Sequence, residues 1–198
     1  MEAKFSKRLL AYIIDIIVLG IVLLLVNIIV PKDNKELNVK LDTLNERYLN
    51  EEIGFNEYLQ DYSKISYDLD KQNIIYTVVN IIFVIVYFII MPYFLNGQTI
   101  GKKLLKIKVT KETKLTITSL IIRNLIINGL AYMIISLLLI HILNSYIYFI
   151  TTTILSLMQL TLMIIIAIGL IKNNSNLVFH DKIAHTKVVN LSKNTSNY

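Results

Sequence analysis

Four charged residues lie inside or beside the long apolar runs of this chain, and their types and positions could do chemistry. Asp15 lies in the middle of an apolar run at residues 9–30, seven positions after Arg8. Arg123 lies near the start of a later apolar run, and Asp181 follows the last one. A carboxylate near the centre of a membrane helix costs about 2.5–3.5 kcal/mol, so it needs either a partner or a function.

Two interpretations of this charge cluster, Arg8, Asp15, Arg123 and Asp181, are open at this point. In the first, Asp15 is an ion or proton site that alternates among paired, protonated and cation-bound forms. In the second, the carboxylates and guanidinium groups are buried ion pairs that fix the register of neighbouring helices. The residue types fit both interpretations, so the choice depends on which groups meet.

Spacing gives a first prediction of the pairs. Arg8 and Asp15 share a helix face, but seven residues separate them by about 10 Å along the axis, so each needs another partner. Arg123 lies about one turn into its apolar run, and we predict that it pairs with Asp15. Asp181 is expected on the same side of the membrane as Arg8. We therefore predict an Arg8–Asp181 pair that holds the tail against the first span.

The elements that position these charges are apolar runs of about 20 residues, the length that crosses a bilayer. They occupy residues 9–30, 74–95, 120–143 and 146–171 of a 198-residue chain that is 55% hydrophobic. We predict an all-α, polytopic membrane bundle of four transmembrane helices, with residues 1–198 as a single domain. Amphipathic spacing predicts an outer helical insertion at residues 31–73. Residues 96–119 form a basic loop and residues 172–198 a tail.

The basic residues predict the orientation. Segment 102–123 has seven Lys and Arg, whereas the connection between the last two spans has none. The insertion at residues 31–73 carries six basic and ten acidic residues. The positive-inside rule therefore places both termini, the basic loop and the tail in the cytoplasm. We expect a multi-pass protein of the cell membrane, and the heavy use of Ile, Lys and Asn indicates a bacterial source.

The basic loop contains a glycine motif, Asn-Gly-Gln-Thr-Ile-Gly-Lys-Lys, at residues 96–103. Its glycines are one residue too close for a phosphate-binding loop, and a lysine stands where that loop has Ser or Thr. We predict instead a segment on the cytoplasmic surface, with Ile100, Leu104 and Ile107 on one helical face. The basic side chains would then contact anionic lipid headgroups. These are Lys102, Lys103, Lys106 and Lys108.

Several function classes are excluded or disfavoured. The chain has no Cys, which excludes disulfides, thiol chemistry and cysteine metal sites. It has neither an HExxH motif nor an embedded Ser/His or Asp/Asp arrangement, so we expect no enzyme activity, no metal site and no cofactor. The net charge of +6 comes from lysines beside the spans, which does not indicate nucleic acid. The partners we expect are the lipid bilayer and a second copy of the chain or another membrane protein.

Taken in chain order, four motifs resemble those of the RDD family of bacterial and archaeal membrane proteins, named for one Arg and two Asp. In this chain the motifs are Arg8-x-x-Ala11-x-x-x-Asp15, then Gly97, Gln98, Thr99, Gly101 and Lys102, then Arg123, then His180-Asp181-Lys182 with Thr186. The Arg and the two Asp correspond to Arg8, Asp15 and Asp181. Family members usually carry glycine before the last Thr, where this chain has His185, and a glycine turn where it has residues 111–114.

The resemblance implies a role in transport, because some members are similar to cation/proton antiporters in activity. Our first hypothesis is a small cation/proton transporter that uses the intramembrane carboxylate. The alternative is a non-transporting membrane scaffold or an accessory subunit of a larger membrane complex. Against transport, we expect four continuous spans, without the pair of broken helices found in many secondary transporters.

Overall fold

The computed structural model describes residues 2–29, 34–172 and 179–191. The helices are α1 (Phe5–Ile29), α2 (Lys35–Leu49), α3 (Phe55–Gln72), α4 (Ile74–Ile85), α5 (Met91–Phe94), α6 (Ile100–Leu104), α7 (Ile117–Ile127), α8 (Leu130–Leu139), α9 (Ser145–Lys172) and α10 (Phe179–Ala184). A π-helical turn, Val86–Ile90, joins α4 to α5, and the strands are β1 (Ile107–Thr110) and β2 (Lys187–Asn190). The end of the first predicted span, the start of the outer insertion and parts of the tail lie outside the described residues.

Three continuous helices are long and apolar enough to cross a membrane: Phe5–Ile29, Ile74–Phe94 and Ser145–Gly169. A fourth span results if α7 and α8 are taken together. Their outward faces carry large apolar side chains, such as Ile28 and Ile29 of α1, which are more than three-quarters exposed. Such surfaces suit lipid rather than water. The predicted all-α membrane bundle is therefore confirmed, while its orientation in the membrane stays a prediction.

The third span is not the straight helix that we predicted. Its two halves, α7 and α8, meet at an angle of 76°. The break falls at Asn128 and Gly129, where Gly129 adopts the left-handed backbone with φ of 62°. Glycine adopts this conformation without the steric cost that a Cβ atom brings. Residues 140–144 then lead into α9, so the connection between the last two spans is also longer than the two residues expected.

The two termini and the basic loop meet on one side of the bundle. β1 pairs antiparallel with β2, in a register that places Ile107 opposite Asn190 and Val109 opposite Val188. The N-terminal segment joins them, because the Ala3 N–H donates to the Val188 carbonyl at 2.9 Å. The basic loop therefore continues into a strand rather than a surface helix, and our helical face through Ile107 was wrong. The arrangement agrees with placing all three segments in one compartment.

The outer insertion packs against the opposite end of the last span. Helices α2 and α3 contact each other, and α3 contacts α9. The Tyr148 hydroxyl donates to Asp70 Oδ2 at 3.0 Å, and the Tyr67 hydroxyl donates to the Ile140 carbonyl at 2.9 Å. Burial raises the pKa of Asp70. These contacts fix the insertion to the bundle far from the charged residues, which lie where the termini meet.

Candidate functional site: two buried carboxylates

The Asp15 site is a fully buried carboxylate on α1 that neutral donors surround. Its Oδ1 accepts hydrogen bonds from the Tyr87 hydroxyl and the Gly101 N–H, both at 2.7 Å. Its Oδ2 accepts one from the Thr99 hydroxyl at 2.5 Å. The nearest cation is Lys102, whose Nζ lies 3.7 Å from Oδ2. Three hydrogen bonds from neutral donors, and one ammonium group beyond hydrogen-bond range, therefore stabilise the negative charge of the Asp15 carboxylate.

The glycine motif forms this site by folding α6 onto α1. Thr99 precedes α6 in an extended conformation, and Gly101 lies in its first turn. A Cβ atom on Gly101 would clash with the Ala11 carbonyl oxygen and would lie 2.9 Å from Asp15 Oδ1. Glycine at position 101 is thus needed for close approach of two backbones. The family motif positions two of the three neutral donors to Asp15.

The first half of the motif shapes the loop that leads into α6. Gly97 has a left-handed φ of 84°, and a Cβ atom there would clash with the Val109 carbonyl. The Val109 N–H donates to the Gly97 carbonyl at 2.8 Å, and Gln98 Nε2 donates to the Ile107 carbonyl at 3.0 Å. These bonds tie the loop to β1, so Gly97 and Gln98 support the Asp15 site without touching it.

Tyr87 reaches Asp15 from the π-helical turn, and sequence reasoning missed it. The turn buries Tyr87 and Phe88 together, and π-helical turns often occur at functional sites. Asn124 Nδ2 donates to the Phe88 carbonyl at 2.9 Å, which satisfies a backbone group of the turn. A tyrosine in an apolar span was the available signal, because its hydroxyl needs a partner when buried.

Lys102 turns inward, contrary to the prediction that it faces lipid headgroups. Its side chain is only 15% exposed, and its Nζ donates to the Thr99 hydroxyl at 3.2 Å. Burial is the main cause that lowers the pKa of Lys102 to about 8; Asp15 opposes the shift, and Arg123 and Arg8 contribute to it. The neighbouring Lys103 and Lys106 are exposed. The ammonium group of Lys102 therefore belongs to the Asp15 site.

The Asp181 cluster is a second buried carboxylate, and arginines surround it. Asp181 forms ion pairs with Arg8 and with Arg123, and it is fully buried. Its Oδ1 also accepts a hydrogen bond from the Thr186 hydroxyl at 3.0 Å. The predicted pair of Arg8 with Asp181 is confirmed. The predicted pair of Arg123 with Asp15 is wrong, because α10 packs on α7 and brings Asp181 to Arg123.

The turn after α10 fixes Thr186 in this cluster. The Thr186 N–H donates to the Asp181 carbonyl at 2.9 Å, and Arg123 contacts the Thr186 hydroxyl at 3.4 Å. His185, which immediately precedes Thr186 in the chain, adopts a left-handed φ of 52°. The glycine that the family usually carries here suits this backbone without strain. The turn thus forms in this chain with a histidine at the strained position.

Side chains satisfy the backbone at the break in the third span. Gln159 Nε2 donates to the Ile126 carbonyl at 3.0 Å, and the Tyr12 hydroxyl contacts the Ile127 carbonyl at 3.5 Å. Asn128 Nδ2 donates to Asn124 Oδ1 at 2.6 Å. Broken helices persist in membranes only where such partners replace the lost backbone bonds. Our expectation of four unbroken spans is therefore wrong for the third span, and its break lies among polar side chains.

Comparison with known proteins agrees with the motifs. The family model described as RDD family matches residues 2–185. This range includes both carboxylates, the glycine motif and His185. Searches of curated proteins and of solved structures found no match.

Proposed function

The chain belongs to the RDD family, and we propose that it is a small transporter that exchanges a monovalent cation for a proton across a bacterial cell membrane. The observation that carries this proposal is the Lys102 ammonium group 3.7 Å from Asp15 Oδ2, beside a carboxylate otherwise bound by neutral donors. Lysine can lose its proton when buried, whereas arginine stays charged. At the Asp15 site, a bound cation can thus take the place of the positive charge of Lys102.

The exchange follows from charge balance at Asp15. A cation that binds the carboxylate replaces the positive charge of Lys102, and Lys102 then releases its proton. The carboxylate and the hydroxyls of Tyr87 and Thr99 are oxygen donors, which hard cations prefer. Because the pKa of Lys102 is lowered to about 8, the proton is released near physiological pH. One cation therefore enters the site for each proton that leaves it.

The broken third span supports a transport role. Discontinuous helices near the middle of the membrane form the ion sites of many secondary transporters. Here the break is next to Asn124 and Asn128, whose amides bond to each other, and Tyr12 of α1 contacts its free carbonyl end. These polar groups extend along α7 from the charged residues to the break. They supply oxygen atoms for a cation on its way to or from Asp15.

A second candidate function is a membrane scaffold or accessory subunit that does not transport. It is favoured by the sealing of Asp15, which is 0% exposed and whose two oxygens both accept hydrogen bonds. In this reading the two carboxylates hold α6 and α10 against the spans, and the exposed surfaces contact a partner. It predicts that loss of the Asp15 charge lowers stability and abundance in membranes without an effect on ion flux.

Proteoliposomes with an internal pH dye distinguish the two functions. We expect external pulses of Na⁺, Li⁺ or K⁺ to make the lumen more alkaline for at least one cation, at a rate that rises as pH passes through about 8. Asp15→Asn removes the charge that binds the cation, and Lys102→Arg keeps a permanent charge beside it. Both should abolish the signal, whereas the exposed-lysine variant Lys103→Gln should retain it. A silent but folded wild type would overturn exchange and favour the scaffold.

A further inference from the structure

A cavity of about 140 Å³ lies beside the two carboxylates and is lined by three cations. Arg8, Lys102 and Arg123 contribute to its wall, and no Asp or Glu among the described residues does so. Asp15 and Asp181 form ion pairs with these cations but do not line the cavity. The cavity therefore presents positive charge, although the buried residues around it include two carboxylates.

The charge balance of the buried residues agrees with this geometry. Three cations share two fully buried carboxylates, Asp15 and Asp181. Glu2 also acts on Arg8, but it is partly exposed and lines a separate surface depression, together with the acidic residues Glu112 and Asp181 and the basic residues Lys111, Lys182 and Lys187. Cations that line a buried cavity favour a bound anion, because each can donate a charge-assisted hydrogen bond to it.

His180 is a second and independent sign of a ligand. Its side chain is 1% exposed and lines the cavity. Asp181 Oδ1 lies 3.7 Å from its Nε2, beyond hydrogen-bond range, and neither ring nitrogen has a hydrogen-bond partner in the described part of the chain. A buried polar group without a partner costs about 1–3 kcal/mol. Burial, together with the nearby cations Arg123, Arg8 and Lys102, lowers the pKa of His180 to about 2. The neutral ring therefore keeps one N–H to donate to an anion.

The rest of the wall is apolar and reaches the membrane-facing surface. Phe5 and Leu9 of α1 line one side, and Met163, Ile166 and Ala167 of α9 line the other. Leu9 is 43% exposed and Ala167 is also exposed, so the cavity reaches the outer surface between α1 and α9. A cavity of about this size holds a group like benzene. It suits a small anionic headgroup with its first carbons, while a longer chain extends into lipid.

We propose that this cavity binds an anionic amphiphile, with its oxyanion between Arg8, Lys102, Arg123 and His180 and its hydrocarbon chain against α1 and α9. Phosphate and carboxylate headgroups share the required chemistry, because both accept hydrogen bonds from guanidinium, ammonium and imidazole groups. The cavity shares Lys102 with the Asp15 site, but binding of the anion does not require cation exchange. A chain that transports no cation and still binds such a ligand would leave this inference intact.

The test is thermal unfolding of the full chain in dodecyl maltoside, whose neutral headgroup carries the same hydrocarbon chain as the probes. Dodecyl phosphate and dodecanoate are titrated separately, and inorganic phosphate is a third arm. We expect at least one amphiphile to raise Tm saturably, by roughly 5–10 °C at a hundredfold excess over Kd. Inorganic phosphate alone should give little shift, because it lacks the chain.

Two variants locate the binding site. Ala167→Phe fills the opening without changing a charge, and its control Ile165→Phe adds the same ring to an exposed position on α9 that does not line the cavity. Lys102→Gln removes one cation, and Lys103→Gln is its exposed control. We expect each cavity variant to weaken binding at least tenfold and each control to leave it unchanged. Equal shifts in wild type and Ala167→Phe, or a full shift from inorganic phosphate, would overturn the proposal.

Discussion

The Asp15 site and the Asp181 cluster are both buried carboxylates, but different partners satisfy them. Asp181 forms ion pairs with two arginines and has one hydroxyl donor. Asp15 has three neutral donors and a single lysine at 3.7 Å. Arginine keeps its charge in proteins, whereas buried lysine can become neutral. The charge of the Asp181 cluster is therefore fixed, whereas the charge of the Asp15 site can change.

Loss of the Asp181 carboxylate should destabilise the chain more than loss of the Asp15 carboxylate. Asp181→Asn would leave Arg8 and Arg123 buried without their shared carboxylate, and neither can lose its charge. Breaking a buried ion pair in this way costs about 3–5 kcal/mol. Asp15→Asn should cost less, roughly 1–2 kcal/mol, because an amide oxygen still accepts hydrogen bonds and Lys102 can become neutral. Chemical denaturation in detergent measures both, and equal losses would remove the distinction.

The second prediction concerns the pH dependence of stability. The pKa of Lys102 is lowered from 10.5 to about 8 in the folded chain, so between these values the unfolded chain binds more protons. Stability from this group therefore rises with pH from about 8 to 10.5, by at most about 3 kcal/mol. Below pH 8 both states are protonated and the cost of burying the ammonium group is present in full.

Lys102→Gln isolates this contribution. We expect the free energy of unfolding of the wild type, relative to the variant, to increase across the window from pH 8 to 10.5. The exposed variant Lys103→Gln should parallel the wild type at every pH. Unfolding curves that stay parallel for wild type and Lys102→Gln would show that Lys102 keeps its charge, as Arg8 and Arg123 do.

The third prediction tests how closely α6 must approach the Asp15 site. Gly101→Ala places a Cβ atom against the Ala11 carbonyl and Asp15, and overpacking of this kind costs about 1–3 kcal/mol. Gly20→Ala is the matched control on α1, because a Cβ atom there meets nothing within 4 Å. Alanine favours a helix over glycine, so the control should be neutral or slightly stabilising. A tolerated Gly101→Ala would mean that the motif serves another purpose.

The sequence predicted the parts of this arrangement that depend on spacing alone. Apolar runs predict spans because the bilayer fixes their length, and Arg8 and Asp181 meet because the tail returns to the start of α1. The partner of Arg123 was not predictable in this way. Helix rotation decides whether it faces α1 or α10, and packing of many side chains sets that rotation. The same holds for Lys102, whose inward direction depends on the strand that follows α6.

Two other features carried signals that hydropathy alone does not use. The break in the third span falls at Asn128-Gly129, a dipeptide typical of turns, within a run that is apolar on both sides. Hydropathy predicted an apolar segment here but not the angle of 76° between its two halves. The π-helical turn that brings Tyr87 to Asp15 left one signal, a tyrosine within an apolar span, and the Asn124 side chain donates a hydrogen bond to the Phe88 carbonyl of that turn. Tertiary hydrogen bonds therefore determine the functional geometry.

The smallest expected effect is at His185, on the Asp181 side of the comparison. Its left-handed backbone favours glycine over a residue with a Cβ atom, but glycine also loses more conformational freedom on folding. His185→Gly should therefore stabilise the chain by no more than about 1 kcal/mol. Lys182→Gly is the control, because it lies exposed in α10 and should cost about 1 kcal/mol as helical glycine does.

Whether His185→Gly raises or lowers stability tells what holds the left-handed backbone at position 185. Stabilisation in thermal unfolding would mean that the turn at Thr186 forms because the Asp181 cluster outweighs a local backbone cost. Destabilisation as large as that of Lys182→Gly would mean that the histidine side chain itself contributes to the turn. Combining His185→Gly with Asp181→Asn sharpens the test. If the cluster holds the turn, glycine should recover more stability in the Asp181→Asn background, where the backbone lacks that support.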